Sequence, residues 1–217
     1  MQAQPPAALS ALDSLNPASR PPSPPSPQVV VVGAGLATEL RQPDSASALA
    51  SLRLARDLTL HHLVIQRPEA PHDQLQRLQT RPEGWLASLP LDPGHPLEAG
   101  GTWAEALGAW RQPTLLVIDW RQLPSGAAAA GVALLRQWRV PLLGLVQWGG
   151  LWSPEQRRKD GLPWLGGLVE ERAAAEGKGR GEMAEMDDME EAAAAVAPLL
   201  LRRWQGLDHP WSAPSEA

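Results

Sequence analysis

The sequence has no cysteine, phenylalanine or tyrosine. Without Cys there is no disulfide, no thiolate metal site and no cysteine nucleophile, a pattern that fits a reducing cytosol. Without Tyr there is no tyrosine–lysine reductase pair, and the only lysines, Lys159 and Lys178, fall far downstream of the first expected strand. Basic charge is scarce as well: 19 Lys and Arg face 24 Asp and Glu, for a net charge of −5. Nucleic acid calls for a basic face, so nucleic-acid binding is not expected. Long apolar runs are missing. The longest, Ala192–Leu201, is about half of the roughly 18 residues a spanning helix needs and contains Pro198. The start, MQAQPPAALSALDSL, lacks the positive charge and long apolar core of a signal peptide. The expectation is a soluble, cytoplasmic chain without membrane contact.

What is present is unusual in its own way. Arg outnumbers Lys 17 to 2, Asn occurs once and Trp 10 times, a usage that suggests GC-rich coding. The core must be built from Leu, Val, Ala and Trp. With 217 residues and 43% hydrophobic content the chain suits one globular domain plus tails. Residues 1–28 read as a disordered, Pro-rich tail, since Pro21–Pro27 (PPSPPSP) favours extended polyproline II and serves as a spacer rather than an SH3-type ligand. Residues 29–169 read as an α/β domain and 170–186 as an acidic, Gly-containing connector. A C-terminal helix over 187–206 packs on the domain, and 207–217 is a tail. Glu170–Glu191 holds nine acidic residues against three basic ones, which is the pattern of a solvated segment. The helix that follows places acids first and Arg202 and Arg203 last, the order that suits the helix dipole.

The organising stretch is Thr102 to Trp148. TWAEALGAW, TLLVIDW, AAAAGVALLRQW and VPLLGLVQW read as helix, strand, helix and strand. Continuous apolar runs of strand length mark strands covered on both faces, as in parallel βαβ units. Trp103, Leu107 and Trp110 fall on one helix face. Upstream, Val29–Val32 is a buried strand ended by Gly33-Ala34-Gly35. Asp44 is placed as the N-cap of a helix over Ser45–Asp57, and His61–Gln66 as the next strand. Asp73–Gln79 and Glu83–Leu89 are expected as short helices, the second with Trp85 and Leu89 inward, and Pro90–Gly101 as a loop. Leu162–Val169 supplies a last strand. The fold class is therefore α/β: a three-layer sandwich with a mostly parallel sheet of about five strands and helices on both faces.

Candidate site residues gather at the carboxyl ends of strands, where open α/β sheets bind ligands. Gly33 and Gly35 follow the first strand as in a dinucleotide fingerprint, but the sixth position is Thr38, and the second strand ends at Gln66-Arg67, more than 30 residues on. Arg67 would suit a 2′-phosphate; the alternative is a structural tight turn. Asp119 ends LLVID at the position that holds Mg²⁺ in P-loop NTPases, yet no G-x-x-x-x-G-K-[ST] occurs. Its structural alternative is a carboxylate capping the turn with Arg121. Ser125 and Gly126 open a helix whose N–H groups would hold a phosphate or carboxylate; the alternative, which any helix start offers, is an ordinary N-cap. For acid–base work the best pair is His95 with Asp119. His61 and His62 point to opposite faces of a strand, so no metal site is expected. Trp148, Trp152 and Trp164 surround a Gly-rich loop and are the candidate surface for a protein partner.

From GTWAEAL through LLVI, LLRQW and RVPLLGLVQ to LPWLGGL, about residues 101–169, the order of features resembles dethiobiotin synthetases and related P-loop partitioning ATPases. The resemblance implies that these elements surround a nucleotide. The family's phosphate loop, with its lysine and threonine, has no counterpart here, and its asparagine after the penultimate strand is replaced by Gln147-Trp148. It thus implies the fold and not the family's ATP-dependent carboxylation and ring closure. Three functions follow: a binding or regulatory protein without a functional P-loop, taking a small molecule or nucleotide; an enzyme at the same edge, a transferase or NAD(P)-dependent oxidoreductase; or a protein-interaction module. No cofactor is firmly implied.

Overall fold

The computed structural model describes residues 26–35, 37–168 and 182–207, with the side chains of 37–38 and 182–192 excepted. Most of the Pro-rich tail, much of the acidic connector, Lys178 and the final residues lie outside the described residues. In chain order the elements are β1 (Gln28–Gly33), α1 (Ala37–Leu40), α2 (Ala46–Asp57), β2 (His61–Val64), α3 (Pro71–Gln79), β3 (Trp85–Ser88), α4 (Trp103–Ala109) and β4 (Thr114–Asp119). A 3₁₀ turn (Trp120–Ser125) leads to α5 (Ala127–Gln137), β5 (Leu142–Trp148), α6 (Pro154–Lys159), β6 (Trp164–Leu168) and α7 (Glu182–Gln205).

The strands form one sheet in the order β2-β3-β1-β4-β5-β6, and every pairing is parallel. The fold is α/β. β1 lies inside the sheet, with Val31 registered against Ser88 of β3 on one side and Leu115 of β4 on the other. Strand residues alternate between two cores. Val30, Val32, Leu116 and Ile118 pack with Leu75 of α3, Trp103 and Leu107 of α4, and Val132 and Leu135 of α5. Val29, Val31, Leu115 and Val117 face Ala50 and Leu54 of α2 and Val196 and Leu200 of α7. Helices therefore cover both faces, which explains why β1 and β4 carry apolar residues at successive positions. Each fully buried Leu or Val contributes about 1.5–3 kcal/mol.

Tryptophan does the filling that Phe and Tyr do elsewhere. Trp85 and Trp103 are fully buried, and each indole N–H finds a backbone carbonyl, Leu78 O at 3.1 Å for Trp85 and Pro68 O for Trp103. Trp204 closes the α7 side, 6% exposed. Close helix packing depends on Gly108 in α4: a Cβ there would stand 1.9 Å from the carbonyl oxygen of Trp138.

Several expectations are corrected. Glu83–Leu89 is not a helix; Trp85–Ser88 is a strand with all four residues buried, which raises the count to six. The spacing of Trp85 and Leu89 fits a helix turn, but a short strand enclosed on both faces has the same apolar content. The N-cap of α2 is Ser45, not Asp44, and β2 ends at Val64. The last helix begins at Glu182, so part of the expected connector and the helix planned from 187 form one element.

Candidate functional site

The chain leaves β1 towards α2, on one face of the sheet, and leaves β4 towards α5, on the other. Adjacent parallel strands whose connections diverge in this way open a crevice at their carboxyl ends, the usual ligand position in open α/β sheets. A cleft of about 420 Å³ lies there, bounded by Gly33 and Ala34 of β1 and its turn, Glu39 and Leu40 of α1, Ser45 and Ser47 at the start of α2, Asp119 at the end of β4, and Arg121 and Gln122 of the 3₁₀ turn. Gly33 keeps the floor open: a Cβ on it would lie 2.8 Å from Leu40 Cδ2 and 3.2 Å from Ser47 Cβ.

Asp119 stands at the end of β4 and caps the 3₁₀ turn. Its Oδ1 accepts from the Arg121 N–H at 2.9 Å and from Arg121 Nε at 2.8 Å, and its Oδ2 accepts from Arg121 Nη2 at 2.6 Å. The side-chain bond from Arg121 is the chief cause that holds the Asp119 carboxyl below the ordinary aspartate range, against the opposing effect of burial. Gln122 completes a capping box, with its Oε1 accepting from the Asp119 N–H at 3.3 Å. The same side chain donates through Nε2 to Ala34 O at 2.7 Å, tying the two turns that flank the crevice.

The loop after β3 contributes a residue that sequence reasoning missed. Asp92 accepts from the Gly94 N–H through Oδ1 at 2.8 Å and from the Gly35 N–H through Oδ2 at 3.4 Å. A Cβ on Gly35, whose φ is +141°, would meet Gln122 Nε2 at 2.9 Å. No local pattern announces this contact, because Asp92 lies 57 residues from Gly35.

The expected site residues divide into those the fold brings together and those it does not. Gly33 and Asp119 line the cleft, and Gly35 lies beside it in the turn held by Asp92. Ser125 and Gly126 do not line it; Ser125 Oγ donates to Gln122 O at 2.7 Å, and Gly126 is the left-handed residue (φ 76°) between the 3₁₀ turn and α5. His95 is exposed in the loop after β3 and does not line the cleft with Asp119. Lys159 is exposed on α6 and Arg67 is exposed after β2. Among the described residues no three His, Asp or Glu side chains gather as a metal site.

The tryptophan surface also differs from expectation. Trp148 is 7% exposed and belongs to the α2–α7 core. Trp152 and Trp164 meet edge to face at 6.0 Å, Arg157 lies over the Trp164 ring at 5.4 Å, and Trp164 Nε1 donates to the Asp160 carboxylate at 3.0 Å. The exposed indoles among the described residues are Trp120 and Trp138; Trp120 lies against Gly149 and Gly150, glycines with positive φ after β5.

Among the described residues, no helix is long and apolar enough to cross a membrane. Comparison of the sequence with protein-family models and with curated proteins finds no match to either.

Proposed function

We propose that this chain is a small-molecule-binding protein, with its ligand in the cleft between the carboxyl ends of β1 and β4. The observation that carries the reading is the coincidence of a cleft of about 420 Å³ with the crevice where the connections of β1 and β4 diverge. That volume falls within the range of about 300–1,000 Å³ typical of small-ligand sites. The lining supplies backbone and hydroxyl groups over an apolar floor of Leu40 and Val117, with charge at the rim. No lysine lines it, and the sequence has no phosphate loop, so a nucleotide would be held without the usual lysine grip on its phosphates. The likeness of residues 101–169 to dethiobiotin synthetases agrees with a nucleotide-binding type of fold put to binding or regulatory use.

A binding role accounts for the state of Asp119 better than acid–base catalysis does. Its carboxylate is occupied by Arg121 and by the turn it caps, and His95 does not share its cleft. Thermal-shift screening of the full chain against nucleotides, dinucleotides, sugars and amino acids tests the reading. A ligand at 100 times its Kd stabilises by about 2.7 kcal/mol. The hit should shift the amide NMR signals of Gly33, Ala34, Ser47 and Gln122. Shifts confined to other surfaces, or no stabilising ligand at all, would remove the cleft from consideration.

A further inference from the structure

We infer that the cleft takes a small zwitterion, its carboxylate or phosphate seated on the first turn of α2 and its ammonium group held by Glu39 and Asp44. This rests on the reading of the cleft as a ligand site and specifies what the ligand is.

The start of α2 carries the argument. The helix is 12 residues long, and its N-terminal end carries unsatisfied N–H groups and the positive pole of its dipole. Ala46 and Ser47, its first two residues, line the cleft. The residue before them, Ser45, is in the extended conformation of an N-cap (φ −61°, ψ 148°), from which a serine hydroxyl ordinarily accepts a backbone N–H of the first turn. Here it makes no such bond. Ser45 is only 9% exposed, it lines the cleft, and its Oγ is buried with no hydrogen-bond partner. Its backbone is fully used, the N–H donating to Gln42 O at 3.1 Å and the carbonyl accepting from the Leu49 N–H at 2.9 Å. The hydroxyl alone waits for a partner, and an anionic oxygen at the helix start would supply it.

The rim decides which anion. Asp119 is neutralised by Arg121, whereas Glu39 and Asp44 are exposed at the cleft edge, and neither forms an ion pair among the described residues. A bare polyanion would meet these two carboxylates at close quarters. A molecule with one anionic and one cationic end satisfies both the helix start and the rim.

Calorimetric titration of the full chain tests the assignment, using free amino acids and phosphoethanolamine as zwitterions. The matched deaminated acids, the matched amines and inorganic phosphate serve as singly functional probes. The zwitterions should bind at least about tenfold more tightly than their counterparts lacking one charge, a margin of one charge-assisted contact. The amino acids and phosphoethanolamine separate a carboxylate from a phosphate preference. Ala46→Glu places a carboxylate in the seat assigned to the anion, beside Glu39 and Asp44, so zwitterion binding should be lost, with the amide NMR spectrum of the unliganded variant reporting that the fold is kept. Ser45→Ala should weaken binding at least about tenfold without lowering the unliganded Tm, since it removes only an unpartnered hydroxyl. Zwitterions binding no better than the single-charge probes, or binding that survives Ala46→Glu, would overturn the inference. A neutral ligand or nucleotide that shifts the cleft amides while no zwitterion binds would sink this inference and leave the binding role standing; silence from every ligand class would sink both.

Discussion

Asp119 and Arg121 close on each other across a single intervening residue, with side-chain hydrogen bonds of 2.8 and 2.6 Å and a backbone bond of 2.9 Å. Asp119 is mostly sheltered while Arg121 is largely exposed. Because the guanidinium lowers the carboxyl pKa in the folded state, the pair's stabilisation is present above the unfolded aspartate value near 3.9 and fades as pH falls through the lower folded value. Asp119→Asn keeps an acceptor for the Arg121 N–H and removes the charge. The expected loss is about 1 kcal/mol at pH 7, shrinking as pH falls below the unfolded aspartate value and through the lower folded one, read from urea unfolding at pH 7 and at acid pH. An equal loss at both pH values would place the effect in the turn geometry rather than in the charge.

His62 gives a second pH dependence in a separate window. Burial lowers its pKa, and its Nε2 is buried without a hydrogen-bond partner. The unfolded chain therefore binds a proton that the folded chain resists. Stability should fall as pH drops below about 6.5 towards the lower folded value. His62→Leu should flatten the urea midpoint between pH 7 and pH 5; an unchanged slope would assign it to other groups.

Gln122 spans the cleft, donating to Ala34 O at 2.7 Å and accepting from the Asp119 N–H at 3.3 Å. Gln122→Ala should cost about 1 kcal/mol and speed hydrogen exchange at Gly35, whose turn loses its tie to β4. Exchange that stays at the parent rate would show that Asp92 alone holds the turn.

Gly108 has no room for a methyl group, because the Trp138 carbonyl occupies the place of its Cβ. Although Ala is the better helix former, Gly108→Ala should destabilise by about 1–3 kcal/mol through displacement of α4 from the end of α5. A Tm equal to or above the parent's would contradict this packing.

The elements flanked by turn chemistry and long apolar runs were legible in the sequence. VVVV before Gly33, TLLVID after Pro113 and the Ala-rich helix after Gly126 all lie where periodicity and breakers put them. β3 was not, because WLAS sits between two strands and under helices on both faces, so neither period 2 nor period 3.6 marks it. Of the cleft, Gly33 and Asp119 were readable because they end strands. Ser45 was displaced by its neighbour Asp44, an equally good cap by residue type. Asp92 and Gln122 act through contacts 57 and 88 residues away in sequence, which no local pattern encodes.

The position of β1 carries a cost during synthesis. Its four valines emerge first, yet the strands that flank them are drawn from 85–88 and 114–117. Until both arrive, this segment has two naked backbone edges and two greasy faces, a ready template for self-association. A fragment ending between residues 89 and 113 lacks the β4 flank, so released fragments of that length should depend on a holdase chaperone more than fragments ending past Asp119 do.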